Sequence, residues 1–175
     1  MKLLREITNK DIGEKREARE FKQFRQSARA VIIDDEKRIA LLFVSKSNYH
    51  KLPGGGLENN ETLEQALARE TREEIGCEVE ILAELGRIIE YKQYEDTGAL
   101  KHESFGYLAK IIGEKGKPSF TSKEKELGFK RVKWYEIRDA IKLLESDRTE
   151  IYHGKFILIR DLALLGEAAK LIEKL

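Results

Sequence analysis

The chain has 175 residues, a length that fits one domain with a real hydrophobic core. Its 33 basic and 32 acidic residues leave a formal net charge of +1, so overall charge recruits neither nucleic acid nor an anionic membrane. Cys77 is the single cysteine, which excludes an internal disulfide and a cysteine-cluster metal site and favours a reducing compartment. No apolar run approaches the ~18 residues of a membrane span, and the N-terminus lacks a signal-peptide pattern. We therefore predict a cytoplasmic protein without a membrane partner or a specific nucleic-acid partner.

The N-terminal part of the chain divides into two regions. Residues 1–26 are charge-rich with few apolar positions, and they are compatible with a short strand, a helix or a partly ordered arm of the same domain. From Ser27 the sequence contains two aliphatic and β-branched runs, SARAVIIDD and RIALLFV, on either side of the polar stretch Asp34–Lys37. Such runs indicate buried strands joined as a hairpin.

A glycine-rich loop and a helix follow. In Lys51–Gly56, KLPGGG, a proline and three consecutive glycines disfavour regular structure and allow the backbone to approach a ligand closely. Residues 62–75 contain neither glycine nor proline, and Gly76 can end a helix in the left-handed conformation. An apolar stripe recurs every fourth position and predicts an amphipathic helix, with the stripe formed by Leu63, Leu67, Thr71 and Ile75.

The remaining elements indicate an α/β protein. Three apolar runs predict further strands, at Val79–Ile89, Ser104–Ile112 and Phe129–Tyr135. Polar loops are expected at Gln93–Lys101 and Gly113–Glu126, and helices at Glu136–Ser146 and roughly Lys155–Leu175. This order predicts one domain over residues 27–175 with a C-terminal helix, built as a mixed β-sheet between helices in an α/β/α sandwich.

Three carboxylates converge on the predicted helix. Glu70, Glu73 and Glu74 fall within an arc of roughly 100°. They lie beside the apolar stripe rather than opposite it, so the helix should hold them at the border of the core. Like charges placed together cost free energy that a bound cation removes, and carboxylate oxygens suit Mg²⁺. For the carboxylates alone, a solvated acidic helix face is the alternative.

The wider spacing is more specific than the carboxylates alone. Gly55 is followed at fixed intervals by Glu61, Arg69-Glu70, Glu73-Glu74 and Gly76. This segment, Gly55–Cys77, resembles the Nudix box, and the strand pattern on both sides extends the resemblance over about residues 27–145. Thr71 and Cys77 stand where the family prefers bulky aliphatic residues, and Asn60 stands where a glycine is usual. These are packing and turn positions, so we expect slightly weaker helix anchoring without loss of chemistry.

The resemblance implies a magnesium-dependent hydrolase of a diphosphate linkage, with Mn²⁺ as the alternative ion. It implies that Glu73 and Glu74 bind the metal and that Glu70 is either a ligand or the base that activates water. Arg69 would pin the loop to the helix through Glu61. Members of the family often add a glutamate from a loop before a late strand; of two candidates there, Glu124 and Glu126, we favour Glu126.

Substrate contacts are expected from the loop and the first strands. Gly54, Gly55 and Gly56 would let backbone groups approach metal or phosphate. Arg29, Lys46 and Lys51 are candidate phosphate-binding cations, and an ordinary surface position is the alternative for each. The histidines show no metal-ligand spacing and receive no role.

The substrate class depends on residues outside the box. Lys92 stands where ADP-ribose hydrolases of the family tend to carry a proline, and Tyr94 matches a tyrosine of dinucleoside polyphosphate hydrolases. We predict a nucleoside triphosphate pyrophosphohydrolase, acting for example on oxidised purine nucleotides such as 8-oxo-dGTP. The alternatives are a dinucleoside polyphosphate or ADP-ribose-type hydrolase and a non-catalytic nucleotide-binding domain, although such domains usually lose a ligand glutamate. RNA decapping would call for a basic groove that the composition does not indicate. A homodimer is left open.

Overall fold

A computed structural model of the chain describes residues 1–16, 19–94 and 98–174. The described residues form seven strands and four helices. In chain order these are β1 Leu3–Ile7, β2 Phe21–Ile33, β3 Ile39–Val44, β4 Tyr49–Lys51, α1 Leu63–Ile75, β5 Glu78–Tyr94, β6 Gly98–Ile112, α2 Ser122–Leu127, β7 Phe129–Tyr135, α3 Ile137–Ser146 and α4 Tyr152–Ile172.

The strands form one mixed sheet with helices on both faces. Its order is β1-β5-β6-β2-β3-β4, and β7 pairs with the other edge of β3. The β1–β5 and β2–β6 pairs are parallel and the remaining pairs are antiparallel. Strand β2 packs on both sides, because Ala30 and Ile32 face α1 whereas Val31 and Ile33 face α3 and α4. The predicted α/β/α sandwich is confirmed.

The N-terminal residues contribute to this sheet. Strand β1 runs parallel to β5, with Ile7 opposite Glu90, and Ile7 is buried in the core beneath α4. Strand β2 already begins at Phe21, so a division of the chain between residues 26 and 27 lies inside a strand. None of the helices in the described ranges has the length and apolar character needed to cross a membrane.

The loop predicted at Gln93–Lys101 is wrong for most of its length. Strands β5 and β6 continue their antiparallel pairing to Tyr94 and Gly98, and residues 95–97 lie outside the described residues. The polar residues that flank this stretch are buried rather than exposed. Lys92 and His102 both lie against the carboxylate of Glu90. Polarity alone therefore did not mark the end of the strands.

The loop predicted at Gly113–Glu126 is also corrected in its second half. Helix α2 begins after Thr121, whose hydroxyl accepts a hydrogen bond from the backbone N–H of Glu124. The Glu124 side chain in turn accepts from the backbone N–H of Thr121, which completes a capping box. Gly128 then ends the helix with a φ of 82°.

Strands β2 and β3 separate and admit a third segment between them. Their only paired position is Ile33 with Ile39. Beyond it, β4 pairs with β3, while the chain that follows β4 hydrogen-bonds to β2. The N–H of Ala30 donates to the Pro53 carbonyl over 3.1 Å, and the N–H of Ala28 donates to the Gly55 carbonyl over 3.0 Å. We call residues 49–57 the wedge segment, because this insertion brings the glycine-rich loop beside the centre of the sheet.

A pair of glycine substitutions tests the packing at the end of α1. Gly76 and Gly113 both have left-handed backbones, with φ of 70° and 71°. A Cβ atom on Gly76 would lie 2.7 Å from the backbone of Gly116 and Lys117, whereas one on Gly113 meets nothing within 4 Å. We expect Gly113→Ala to lower the free energy of unfolding by ~1–2 kcal/mol and Gly76→Ala by ~1–3 kcal/mol more. Urea denaturation measures both, and equal losses would contradict the close approach of residues 116–117.

Candidate active site

Helix α1 is fixed at both ends and along one face. Thr62 and Gln65 form a capping box at its start, and Gly76 adopts the left-handed conformation at its end. Leu67, Thr71 and Ile75 are buried against the sheet, which confirms the predicted stripe. This anchoring sets the rotation of the helix, and the neighbouring carboxylates are therefore directed inward: Glu70 is 8% exposed and Glu74 is 1% exposed.

The Glu74 carboxylate receives a donor on each oxygen from the wedge segment. Lys51 Nζ lies 2.7 Å from Oε1, and the backbone N–H of Gly54 donates to Oε2 over 2.7 Å. Burial raises the pKa of Glu74, while the Lys51 ammonium opposes that rise and the Glu70 carboxylate adds to it. Lys51 itself is buried and stands 4.6 Å above the Phe129 ring. The alternative that Lys51 is an ordinary surface residue is therefore wrong.

The glycines of the wedge segment allow contacts that a side chain would block. A Cβ on Gly55 would fall 1.9 Å from Glu70 Oε1. Gly54 has a φ of 121°, and a Cβ there would lie 2.2 Å from the Ala28 carbonyl oxygen. The backbone of this loop lies close to Glu70 and β2. Its approach to a metal ion or phosphate stays a prediction.

Arg69 ties the loop to the helix. Its Nε and Nη2 donate to the two carboxylate oxygens of Glu61 over 2.8 and 3.0 Å, a bidentate pair. Nη2 also donates to the Gly56 carbonyl over 3.0 Å, and Nη1 donates to Glu70 Oε1 over 2.9 Å. The predicted contact between Arg69 and Glu61 is thus present, and the same guanidinium orients Glu70.

A third carboxylate joins Glu70 and Glu74 from helix α2. One oxygen of each of Glu70, Glu74 and Glu124 lies within 4.8 Å of the other two. The sequence pattern favours Glu126 for this place, but Glu126 is exposed, and two residues along a helix correspond to a rotation of about 200°. Only one of the two glutamates can face the cluster, and that one is Glu124.

The sequence carries a signal for the helix on which Glu124 lies. Thr121 and Glu124 match the S/T-x-x-E capping-box spacing, which predicts a helix start where composition suggests a loop. Because the cap uses Glu124 Oε2, the orientation of this side chain is fixed independently of the cluster.

The carboxylate cluster fits a divalent cation. Glu73, which the sequence predicts to converge with Glu70 and Glu74, is one-third exposed and lies outside the group of three close carboxylates. Burial raises its pKa, Arg69 opposes the rise, and Glu70 and Glu124 add to it. Three converging carboxylates repel one another, and a hard cation that accepts oxygen ligands relieves this repulsion. Each Glu74 oxygen keeps a lone pair beyond its single donor, so Lys51 and Gly54 do not prevent coordination.

Arg29 lies behind the cluster on β2. It is 8% exposed, and burial together with the nearby Arg160 lowers its pKa to about 10, while Asp161, Glu74 and Glu70 oppose the shift. Its Nε has no hydrogen-bond partner within the described part of the chain. Arg29 is therefore a buried cation with a free donor, not an ordinary surface residue. Lys46, by contrast, is exposed.

A buried polar network beside Arg29 was not foreseen from the sequence. Glu90, fully buried, lies 3.3 Å from Lys92 Nζ and 3.0 Å from His102 Nδ1. His102 Nε2 is 3.0 Å from Ser27 Oγ, and burial lowers the pKa of His102 to about 4, so the ring is neutral at pH 7. The row of hydroxyl, imidazole and carboxylate resembles a nucleophilic triad, but Ser27 is 0% exposed and no substrate reaches it. The sequence signal for this network is the pair of charged residues at alternate positions of one strand, Glu90 and Lys92, because alternate residues of a strand face the same side.

The Glu61–Arg69 pair predicts part of the acid sensitivity. Hydrogen bonds from Arg69, and from the Glu58 backbone, lower the pKa of Glu61 to about 2 from its usual 4.5. Because the folded pKa is the lower one, this contribution to stability is complete above pH 4.5 and is lost as the pH falls toward 2. The urea midpoint of Glu61→Gln should therefore decline less over this range than that of the native protein. Glu64→Gln, at an exposed position of α1, is the control and should keep the native decline.

The family assignment follows from comparison with known proteins. The model of the NUDIX domain matches residues 23–156. No curated protein matches the chain significantly.

Solved structures resemble the chain in fold. The solution structure of the ORF135 protein of Escherichia coli aligns with a TM-score of 0.56 at 19% identity, covering 85% of this chain and 91% of that one. An ADP-ribose pyrophosphatase from Streptococcus suis aligns with a TM-score of 0.53 at 18% identity, over 83% and 92% of the two chains. The MutT protein of Methanosarcina mazei aligns with a TM-score of 0.55 at 18% identity, over 85% and 97%.

Members of the matched family use divalent metal ions and act on derivatives of nucleotides. Because the family model spans well over half of the sequence and the box residues converge as described, this chain belongs to the NUDIX family and is a pyrophosphohydrolase of phosphorus-containing acid anhydrides.

Proposed function

We propose that the protein is a Mg²⁺-dependent pyrophosphohydrolase of nucleoside triphosphates. The observation that carries this proposal is the convergence of Glu70, Glu74 and Glu124 to within 4.8 Å of one another beside the wedge segment. These three residues, with the adjacent Glu73, would hold the ion. Mg²⁺ is favoured because it accepts oxygen ligands and shares its shell with substrate phosphates, and Mn²⁺ is the expected substitute.

The chain's own residues divide the remaining work. An ion held by these carboxylates would supply positive charge for the non-bridging oxygens of the substrate and for the departing phosphate. Lys51 and Gly54 hold Glu74, and Arg69 holds Glu70, so the carboxylates are oriented before substrate arrives. Arg29, a buried cation behind the cluster, interacts electrostatically with the Glu70 and Glu74 carboxylates.

The reaction needs one carboxylate as a base. Water attacks one phosphorus of the diphosphate linkage, the bond from that phosphorus to the leaving phosphate oxygen breaks, and a carboxylate accepts the proton of the water. Glu70 and Glu124 are the two candidates for the base, because both belong to the cluster and neither is paired with Lys51.

Features outside the box support a nucleoside triphosphate over the alternatives. Lys92 stands where ADP-ribose hydrolases tend to carry a proline. It is buried, and its Nζ lies 3.3 Å from the Glu90 carboxylate, so it stabilises the buried polar network. Tyr94 packs edge-on against Tyr152 with ring centroids 5.4 Å apart, and this packing accounts for the tyrosine without a dinucleotide ligand. Similar folds belong both to an ADP-ribose pyrophosphatase and to MutT at 18% identity, so the fold does not choose between them. The cytoplasmic location remains a prediction, and the homodimer remains one of the open alternatives.

A substrate panel tests the proposal directly. The native protein is assayed for phosphate and pyrophosphate release from nucleoside triphosphates, 8-oxo-dGTP, dinucleoside polyphosphates and ADP-ribose. We expect pyrophosphate release from a triphosphate with the highest kcat/KM, its loss in EDTA, and its recovery with Mg²⁺ or Mn²⁺. If another compound of the panel has the highest kcat/KM, that compound replaces the nucleoside triphosphate as the proposed substrate. No turnover of any of them, with Glu74→Gln still binding nucleotide, would instead indicate a binding domain.

A matched pair of variants on α2 tests the third carboxylate. Glu124→Gln keeps a side-chain oxygen for the cap on Thr121 but removes the charge, so we expect it to fold and to lose at least ~10²-fold in kcat. Glu126→Gln changes the same charge on the exposed side and should retain kcat within about twofold. A pH–rate profile of Glu70→Gln beside Glu124→Gln then identifies the base as the residue whose loss abolishes the acidic limb. A larger loss in Glu126→Gln would reverse the assignment.

A further inference from the structure

Two aspartates from the C-terminal helices bind the backbone of the wedge segment on either side of Lys51. Asp147, the residue that ends α3, accepts a hydrogen bond from the N–H of His50 over 2.6 Å. Asp161, within α4, accepts one from the N–H of Leu52 over 2.8 Å. Lys51 lies between these two anchors, and it is one of the two donors to Glu74.

The two aspartates take the place of a neighbouring strand. Alternate N–H groups of a strand point to the same side, and β4 is paired with β3 through its other edge. The N–H groups of His50 and Leu52 therefore face away from β3, where no strand of the described residues accepts them. Carboxylates accept stronger hydrogen bonds than neutral oxygens do, so this edge is firmly held although β4 spans only three residues.

Each aspartate is itself fixed in place. Both oxygens of Asp147 also approach Nδ1 of the His50 ring, at 3.0 and 3.2 Å, so this carboxylate holds the backbone and side chain of one residue together. Asp161 is 0% exposed, and its Oδ1 accepts from Arg160 Nε over 2.7 Å, which leaves Oδ2 for the wedge segment. Neither carboxylate can turn away without losing its second partner.

We propose that Asp147 and Asp161 are positioning residues for the metal-dependent reaction. They hold the wedge segment in the position in which Lys51 and Gly54 donate to the two oxygens of Glu74. Through these donors they orient one carboxylate of the cluster. The inference rests on the proposed metal-binding role of Glu74. It extends the functional unit from the box to the helical pair on the opposite face of the sheet.

Asp147 is the better position for a test. Removal of Asp161 takes away the only carboxylate that is hydrogen-bonded to the buried Arg160 guanidinium within the described residues and leaves Glu90, at 4.0 Å, as its counter-charge, which destabilises the fold. Asp147 is 11% exposed and ends a helix. Asp147→Ala removes the acceptor, whereas Asp147→Asn retains a side-chain oxygen for the His50 N–H. Asp139→Ala is the matched control, because Asp139 is exposed on the same helix and approaches only Lys142, at 3.8 Å, among the described ion pairs.

Three measurements separate positioning from general stability. Electron paramagnetic resonance follows Mn²⁺ binding without nucleotide, hydrogen exchange follows residues 49–54, and steady-state kinetics give kcat and KM on the best substrate. For Asp147→Ala we expect about tenfold weaker Mn²⁺ binding and about tenfold lower kcat, with KM within about twofold, since partners behind metal ligands typically contribute 10–100-fold. Exchange in residues 49–54 should accelerate. Asp147→Asn should recover most of each loss, and Asp139→Ala should match the native protein.

Several outcomes would overturn the inference. Native Mn²⁺ affinity and kcat in folded Asp147→Ala would do so, as would equal losses in Asp139→Ala. If the alanine variant does not fold, Asp147→Glu, which moves the carboxylate by one methylene, takes its place with the same expected direction. Mn²⁺ binding by a native protein that hydrolyses no nucleotide would refute the proposed substrate alone, because the Mn²⁺ comparison still decides the role of Asp147. Absence of Mn²⁺ binding by the native protein would overturn both proposals.

Discussion

The burial of the Glu74 carboxylate is the constraint around which the active site is organised. A carboxylate that is 1% exposed must be paired and hydrogen-bonded, since an unpaired buried charge costs several kcal/mol or more. Both of its donors, Lys51 Nζ and the Gly54 N–H, belong to the wedge segment. The wedge segment must therefore enter the sheet, and β2 and β3 must separate beyond the Ile33–Ile39 pair to admit it beside Ala28 and Ala30.

The glycine loop and the arginine of the box follow from the same requirement. With the wedge segment against α1, Gly55 touches Glu70, and no side chain fits between them. Arg69 then crosses from the helix to Glu61 and the Gly56 carbonyl, so the loop is tied to α1 at a second point. The fold in this way keeps mutually repelling carboxylates together, which is the arrangement a divalent cation stabilises.

The opposite face of the sheet is more polar than a simple core. Arg29, Glu90 and Lys92 are buried there with Arg160 and Asp161 from α4. Three cations and two carboxylates lie together here, and the attraction between opposite charges offsets part of the cost of burying them. Through Asp161 this network reaches the backbone of the wedge segment, so α4 does more than cover apolar surface: it connects the C-terminal part of the chain to the carboxylate cluster.

The sequence by itself determined the features that depend on neighbouring residues. The period of α1, its C-terminal glycine, the inward placement of Glu70 and Glu74 and the Arg69–Glu61 contact, eight residues apart, all follow from local geometry. Only the tertiary structure decided that Glu124 rather than Glu126 reaches the cluster and that the β5–β6 pairing continues through polar residues. It alone brought Asp147 and Asp161 to the wedge segment, across 97 and 109 residues of chain. Periodicity encodes which face of an element is buried, but which distant side chain meets that face is fixed only when the whole chain packs.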